Sequence, residues 1–263
     1  MDEPATGELE RKTARVHARL GAALAQYGRL TYASSLGAEA VVLTDIIWSR
    51  LPQIDVFTID TGRLHEETYQ LLETLQRRYR RTVRVLYPDA AALEQLVARQ
   101  GINGFRLSVA ARLECCRIRK VEPFQRAIAG FPVWITGLRR EQSANRARIQ
   151  ELEWDAGNGL YKLSPLLEWS EQEIWQYIRL YRLPYNPMHD RQYPSIGCAP
   201  CTRAIQPGES RRAGRWWWES SGSRECGLHP IRSPTVSPSR PQVPSLALTP
   251  IVSSAFAAGA RPA

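Results

Sequence analysis

The sequence predicts an α/β fold, a doubly wound and mostly parallel sheet. Three observations carry that expectation. Short apolar runs of strand length recur along residues 1 to 229. Longer stretches with apolar residues at helical spacing separate them, and such alternation predicts parallel strands joined by helical crossovers. Glycine or hydroxyl residues follow three of the runs, at the strand ends where open α/β sheets bind ligands.

The elements follow in order. Leu9 to Tyr27 has helical spacing, with Leu9, Val16, Leu20 and Leu24 facing the core. Leu30 to Ala33 is a short strand, and Gly37 opens a helix over Ala38 to Trp48. Ile54 to Ile59 reads as a buried strand, His65 to Arg80 as a helix, and Val83 to Tyr87 as the next strand. Ala90 to Gln100 is a helix that Gly101 stops. Val133 to Thr136 is a fourth strand. Ser170 to Tyr181 is a late helix with Ser170 as N-cap and Glu173 three residues on.

The chain has 263 residues, a formal charge of +9 and five cysteines, long enough for a sizeable core. It contains no run of 18 apolar residues, so no membrane span is expected. Met1 to Glu10 is acidic and lacks an apolar core, so no secretory signal is expected and a cytoplasmic protein is the default. Cysteines in that reducing setting read as metal ligands or reactive thiols rather than disulfides. From Pro230 the composition changes: the last 34 residues hold seven of the 18 prolines, three arginines and no acidic residue. Such a stretch has little to bury. The expected organisation is an N-terminal helical region over 1–27, one domain over 28–229 and a disordered Pro/Ser/Ala-rich tail over 230–263.

Three strand ends carry polar chemistry. They read Ser34-Ser35-Leu36-Gly37-Ala38-Glu39, Asp60-Thr61-Gly62-Arg63 and Thr136-Gly137-Leu138-Arg139-Arg140, the last followed by Gln142, Ser143 and Arg146. Small residues entering a helix leave free N–H groups that suit an anion. Each segment alone is an ordinary turn. Three on one expected edge, two followed by arginine, favour a ligand bearing phosphate or sulfate. Neither a Walker A motif nor a GxGxxG motif is present.

The cysteines divide into four and one. Cys115-Cys116 and Cys198-Ala199-Pro200-Cys201 form two close pairs that can close one four-cysteine site, either an iron–sulfur cluster or structural zinc. Zinc normally takes C-x₂₋₄-C spacing in both halves, which an adjacent pair fits poorly. Arg117, Arg119 and Lys120 lie within a turn of the first pair, where positive charge stabilises thiolates and can bridge to an anionic substrate. Cys226 stands apart in Glu225-Cys226-Gly227-Leu228-His229, downstream of Arg212, Arg215 and Arg224. Cationic surroundings of that kind lower a thiol pKa and make it a nucleophile.

The combination CC…CxxC…ECGLH with SSLGAE, DTGRLHEET, CCRIRKVEP, TGLRREQS and GRWWWE resembles the assimilatory sulfonucleotide reductases. It is most similar to their iron–sulfur branch, the adenylyl-sulfate (APS) reductases, from about residue 28 to His229. The resemblance implies a PP-loop-like, adenine-nucleotide alpha-hydrolase-like fold with a C-terminal cysteine-bearing segment. It implies a 4Fe-4S cluster on Cys115, Cys116, Cys198 and Cys201, Cys226 as nucleophile, and Lys120 between cluster and substrate. Ser34, Ser35 and Gly37 would lie in the loop holding the nucleotide, with Asp60, Thr61, Gly62 and Arg63 nearby. Arg139, Arg212, Arg215 and His229 would contact the phosphosulfate. The implied reaction is thiol-dependent reduction of adenosine 5′-phosphosulfate to sulfite and AMP in sulfate assimilation and cysteine biosynthesis. It runs through an S-sulfocysteine on Cys226, with thioredoxin or glutaredoxin as electron donor. The Pro-rich tail is not a feature of that family.

Three other readings stand beside it. Reduction of the 3′-phosphorylated substrate PAPS, or of both substrates, differs by one phosphate and is separated by comparing kcat/KM. A four-cysteine zinc protein binding nucleic acid is suggested by the +9 charge and the Trp216-Trp217-Trp218 run among arginines. Against it, a third of that excess lies in the tail, and a tryptophan run more often packs. Metal analysis separates the two. An ATP-using sulfur-transfer enzyme is disfavoured because the SGGxDS loop is absent. The reading therefore expects no nucleic acid and no membrane, and is compatible with a homo-oligomer.

Overall fold

The computed structural model describes residues 3–142, 146, 149–219 and 228. Ser143, Cys226, His229 and the 230–263 tail lie outside the described residues.

Strand β1 (Leu30–Ala33) is central in a six-stranded sheet. On one side run β2 (Asp55–Ile59) and then β3 (Arg84–Leu86); on the other lie β4 (Val133–Ile135) and β6 (Leu160–Leu163), all parallel. At the edge, β5 (Leu152–Asp155) pairs antiparallel with β6. Tyr32 is in register with Val56 and Ile135. The period-two alternation of a strand separates the two faces. Val133 and Ile135 enter the larger core, whereas Trp134 joins Phe57, Phe124, Ala127, Ile128 and Leu160 on the opposite face.

Helix α1 (Glu3–Tyr27) buries Leu9, Val16 and Leu20, with Leu24 partly covered, in the larger core, so the N-terminal region is part of the same core. Helix α2 (Ala38–Arg50) is apolar almost all round and is buried accordingly. Its one buried carboxylate, Asp45, accepts the hydroxyls of Tyr79 at 2.5 Å and Tyr177 at 2.6 Å. Those bonds tie α2 to α3 (Glu66–Tyr79) and to α7 (Glu171–Leu180). A capping box starts α7: Ser170 Oγ accepts from Glu173 N, and the Glu173 carboxylate accepts from Ser170 N. Helix α4 (Ala90–Gln100) is capped by Asp89 and ends at Gly101, whose φ of 74° suits glycine.

The expected strands and helices are present, with ends moved by a few residues. Two features escaped the sequence reading. Helix α5 (Val109–Cys116) passes through a π-helical turn, Arg117–Val121, into α6 (Glu122–Ile128). Its polar composition and Pro123 hide that continuity, although proline is tolerated in a first helical turn. The β5–β6 hairpin also lacks a run of apolar residues in its outer strand. Among the described residues no helix is long and apolar enough to cross a membrane.

Candidate active site

Two adjoining cavities lie at the C-terminal end of the sheet. The larger, about 280 Å³, is walled by the turn after β1, the start of α2 and the loop after β4. Ser34, Ser35 and Gly37 line it. Leu36 takes a left-handed φ of 57°, which folds the turn sharply before α2. Gly37 is the N-cap and offers no side-chain cap, so the first amides of α2 meet the cleft, an arrangement suited to an anion. Gly137 packs on α2, where an added Cβ would lie 3.3 Å from the Glu39 Cβ.

Lys120, Arg139, Arg212 and Arg215 line the same cleft. Arg139 lines the cleft and also holds protein partners. Its side chain is 2% exposed and its guanidinium donates to Glu39 at 2.9 Å, to Glu141 at 2.7 Å and to the Trp169 carbonyl. It binds the loop after β4 to the start of α2. Arg146, named with the third strand end, lines the cleft, and so do Arg211 and His189, which the sequence reading did not assign to this site. His189 follows no pattern in the sequence; burial lowers its pKa and its ring packs edge-on against Trp175.

The smaller cavity, about 30 Å³, is lined by Cys115, Cys116, Cys198 and Cys201, all free thiols. The first pair ends α5. The second spans one 3₁₀ turn, Ala199–Cys201, in which Cys201 N donates to Cys198 O at 2.9 Å. The Asp60–Arg63 turn serves this pocket rather than the cleft wall. Thr61 Oγ1 is 3.2 Å from Cys198 Sγ, and Arg63 O accepts from Ala199 N at 2.8 Å. Asp60 shapes the turn by accepting from Gly62 N and from the Tyr69 hydroxyl. Gly62 has φ 69° and sits beneath the Arg119 guanidinium, which donates to Thr61 O.

The π turn sorts the three cations that follow Cys116. Arg119 and Lys120 face the pocket, while Arg117 turns outward to Glu122. Burial raises the Cys115 thiol pKa, with Arg119 opposing, and pushes Cys201 up to about 12, with Cys198 and Cys116 adding to the shift. Thiols so buried stay protonated unless a cationic group replaces their protons. Among the described residues, no three of His, Cys, Asp and Glu are grouped so as to hold a metal ion, although the four cysteines line one pocket. Lys120, Arg215 and Trp216 line both cavities and so form the partition between them. Leu228 packs beside Phe57, Phe124 and Trp134 and also lines the cleft.

Comparison with known proteins agrees with this architecture. Residues 29–204 match the phosphoadenosine phosphosulfate reductase domain family. A relative from Allochromatium vinosum is 54% identical over 76% of this chain and 78% of its own length, and is named adenosine 5′-phosphosulfate reductase. One of the same name from Burkholderia cepacia is 46% identical over 85% of this chain and 90% of its own. Among solved structures, a phosphoadenylyl-sulfate reductase from Candida auris superposes with a TM-score of 0.62 at 23% identity, covering 76% of this chain and 97% of that one. Yeast FAD synthetase gives 0.55 at 11% identity, over 78% and 70%. These likenesses establish the PP-loop-like fold. The chain belongs to the sulfonucleotide reductase family, on its adenosine 5′-phosphosulfate branch.

Proposed function

We propose that this chain reduces adenosine 5′-phosphosulfate to sulfite and AMP in sulfate assimilation, with its electrons supplied by thiols. The observation that carries the reading is the partition of Lys120, Arg215 and Trp216, which sets an anion-binding cleft against a pocket of four thiols. Ser34, Ser35 and the amino end of α2 would hold the nucleotide, with Lys120, Arg212 and Arg215 on the phosphosulfate oxygens. Arg139 positions that wall through Glu39.

Cys226 is the proposed nucleophile. In the sequence it lies two residues before Leu228, which lines the cleft. Its thiolate attacks the sulfur of the substrate. The sulfur–oxygen bond breaks, AMP leaves with that electron pair, and Cys226-S-SO₃⁻ remains. A donor thiolate then attacks the Cys226 sulfur, and sulfite leaves with the electrons of the S–S bond. The donor's second thiol resolves the mixed disulfide and returns Cys226 reduced. A dithiol protein such as thioredoxin or glutaredoxin meets this requirement. Free thiols and such a donor fit a reducing cytoplasm. His229 remains assigned to the phosphosulfate through the family motif.

The residues fit a cluster as resident group. Four free thiols share one pocket, their burial calls for positive charge, and Trp216 Nε1 is buried beside it without a hydrogen-bond partner. A lone zinc needs four donors at about 2.0–2.3 Å from one point. The adjacent pair Cys115-Cys116, which fits the C-x₂₋₄-C spacing of structural zinc poorly, favours a 4Fe-4S cluster on Cys115, Cys116, Cys198 and Cys201. When bound it would supply positive charge to the thiolates and a fixed electrostatic field beside Lys120.

Anaerobic purification with iron and sulfide counts, followed by a sulfite assay on APS and on PAPS, tests the reading. Cys226→Ser is expected to abolish both sulfite release and the covalent adduct while the visible absorbance of the cluster is retained. An adduct on the serine variant overturns the assignment.

A further inference from the structure

A further cavity, of about 320 Å³, lies between α1, the loop after β4, the segment before β5 and the loop after β6. It is as large as the cleft, and the two share no lining residue. Consecutive residues of the loop after β4 divide between them, Arg139 to the cleft and Arg140 to this cavity. Val16, Leu167 and Trp169, each no more than 3% exposed, give it an apolar side.

The charged side is only partly paired. Helical periodicity puts Lys12, Arg15 and Arg19 on the same side of α1 as Val16. Lys12 is taken by Glu173 and Arg19 by Glu151. Arg15 is exposed and, among the described residues, makes no ion pair or hydrogen bond; it attracts Glu151 and Glu168 only through space. Glu168 takes Arg140 through Oε1, at 2.6 and 3.2 Å, and its Oε2 has no hydrogen-bond partner among the described residues. Burial raises the pKa of Glu151 although Arg19 and Arg15 oppose it, so this carboxylate is short of positive charge. A simple anion here would face two carboxylates, and a simple cation would face Lys12, Arg15 and Arg140. An open guanidinium and an open carboxylate oxygen beside an apolar wall match a small zwitterion on a short apolar frame.

We propose that this cavity binds an α-amino acid with an apolar side chain. Arg15 takes its carboxylate, Glu168 and Glu151 take its ammonium, and Val16, Leu167 and Trp169 cover its side chain. None of these residues belongs to the cleft or to the cysteine pocket.

The test titrates the full chain with L-leucine by calorimetry, with and without saturating AMP. One saturable site is expected, with the same Kd whether or not AMP is present. Isocaproate lacks the ammonium and isoamylamine lacks the carboxylate, and each should bind at least about ten-fold more weakly, for the loss of one charge-assisted contact. L-leucine should bind Arg15→Gln and Glu168→Gln more weakly by a similar factor. Both side chains are exposed, so thermal melts of the two variants should match wild type. Absence of saturable binding, displacement of leucine by AMP, an analogue that binds as tightly as leucine, or an unchanged Kd in both variants overturns the proposal.

Discussion

Gly197→Ala tests the cleft without touching a charged residue. Gly197 lies directly beneath the Arg215 guanidinium. A Cβ built there would sit 2.5 Å from Arg215 Cζ and 2.9 Å from Nη1. Carbon contacts settle near 3.5–4.0 Å, so the guanidinium must retreat by about 1 Å or more. The clash falls on the far end of a flexible side chain, so the backbone is spared. Arg215 would then lose its alignment toward the anion and its stack on Trp216. A hydrogen bond to a charged group contributes about 1.5–3 kcal/mol. At 1.4 kcal/mol per decade, kcat/KM is expected to fall about 10- to 150-fold. The assay is steady-state sulfite release, with a thermal melt and an iron count compared with wild type to show that the fold persists and the iron content is unchanged. Arg215→Met should cost about as much, and the double variant should cost little more than either single one, because one interaction is removed twice. A kcat/KM equal to wild type, or additive losses in the double variant, would refute the reasoning.

Other predictions concern the frame. Glu209 takes both nitrogens of Arg203, at 2.7 and 2.8 Å, and the Gln206 N–H, and the Arg203 bonds hold its carboxyl down at about 2. Its contribution to stability is therefore complete above the ordinary carboxylate value of about 4.3 and fades as the pH falls toward 2. Thermal melts from about pH 6 to about pH 3 should drop more steeply for wild type than for Glu209→Gln, and parallel curves would contradict this. Ser170→Ala removes half of the capping box of α7 and should cost about 1 kcal/mol. For a domain of this size that lowers Tm by about 2–4 °C, with kcat unchanged; a larger loss would mean that the cap also holds Glu141 and its partner Arg139.

Much of the site was legible because its chemistry sits in short, local patterns. The turn Ser34 to Gly37 follows a strand and opens a helix, so its small residues fall at a helix amino end whatever the packing. The Ser170–Glu173 capping box is likewise closed within one turn. The four cysteines carry their pairing in their spacing. Arg139 shows the limit: its place beside Gly137 was readable, but its commitment to Glu39, 100 residues away, was not.

By itself, the sequence determined the alternation of strand and helix, the anion-ready turns and the separation of four cysteines from one. Each follows from bonding between near neighbours. Only the tertiary structure decided which cation does what. The π turn aims Arg119 and Lys120 inward and Arg117 outward, a direction set by helical phase. The Arg112–Glu219 pair closes across 107 residues, and Arg215 reaches both cavities only because Gly197 leaves it room. Long side chains take their direction from the partners that the fold brings to them, and those partners lie far off in sequence.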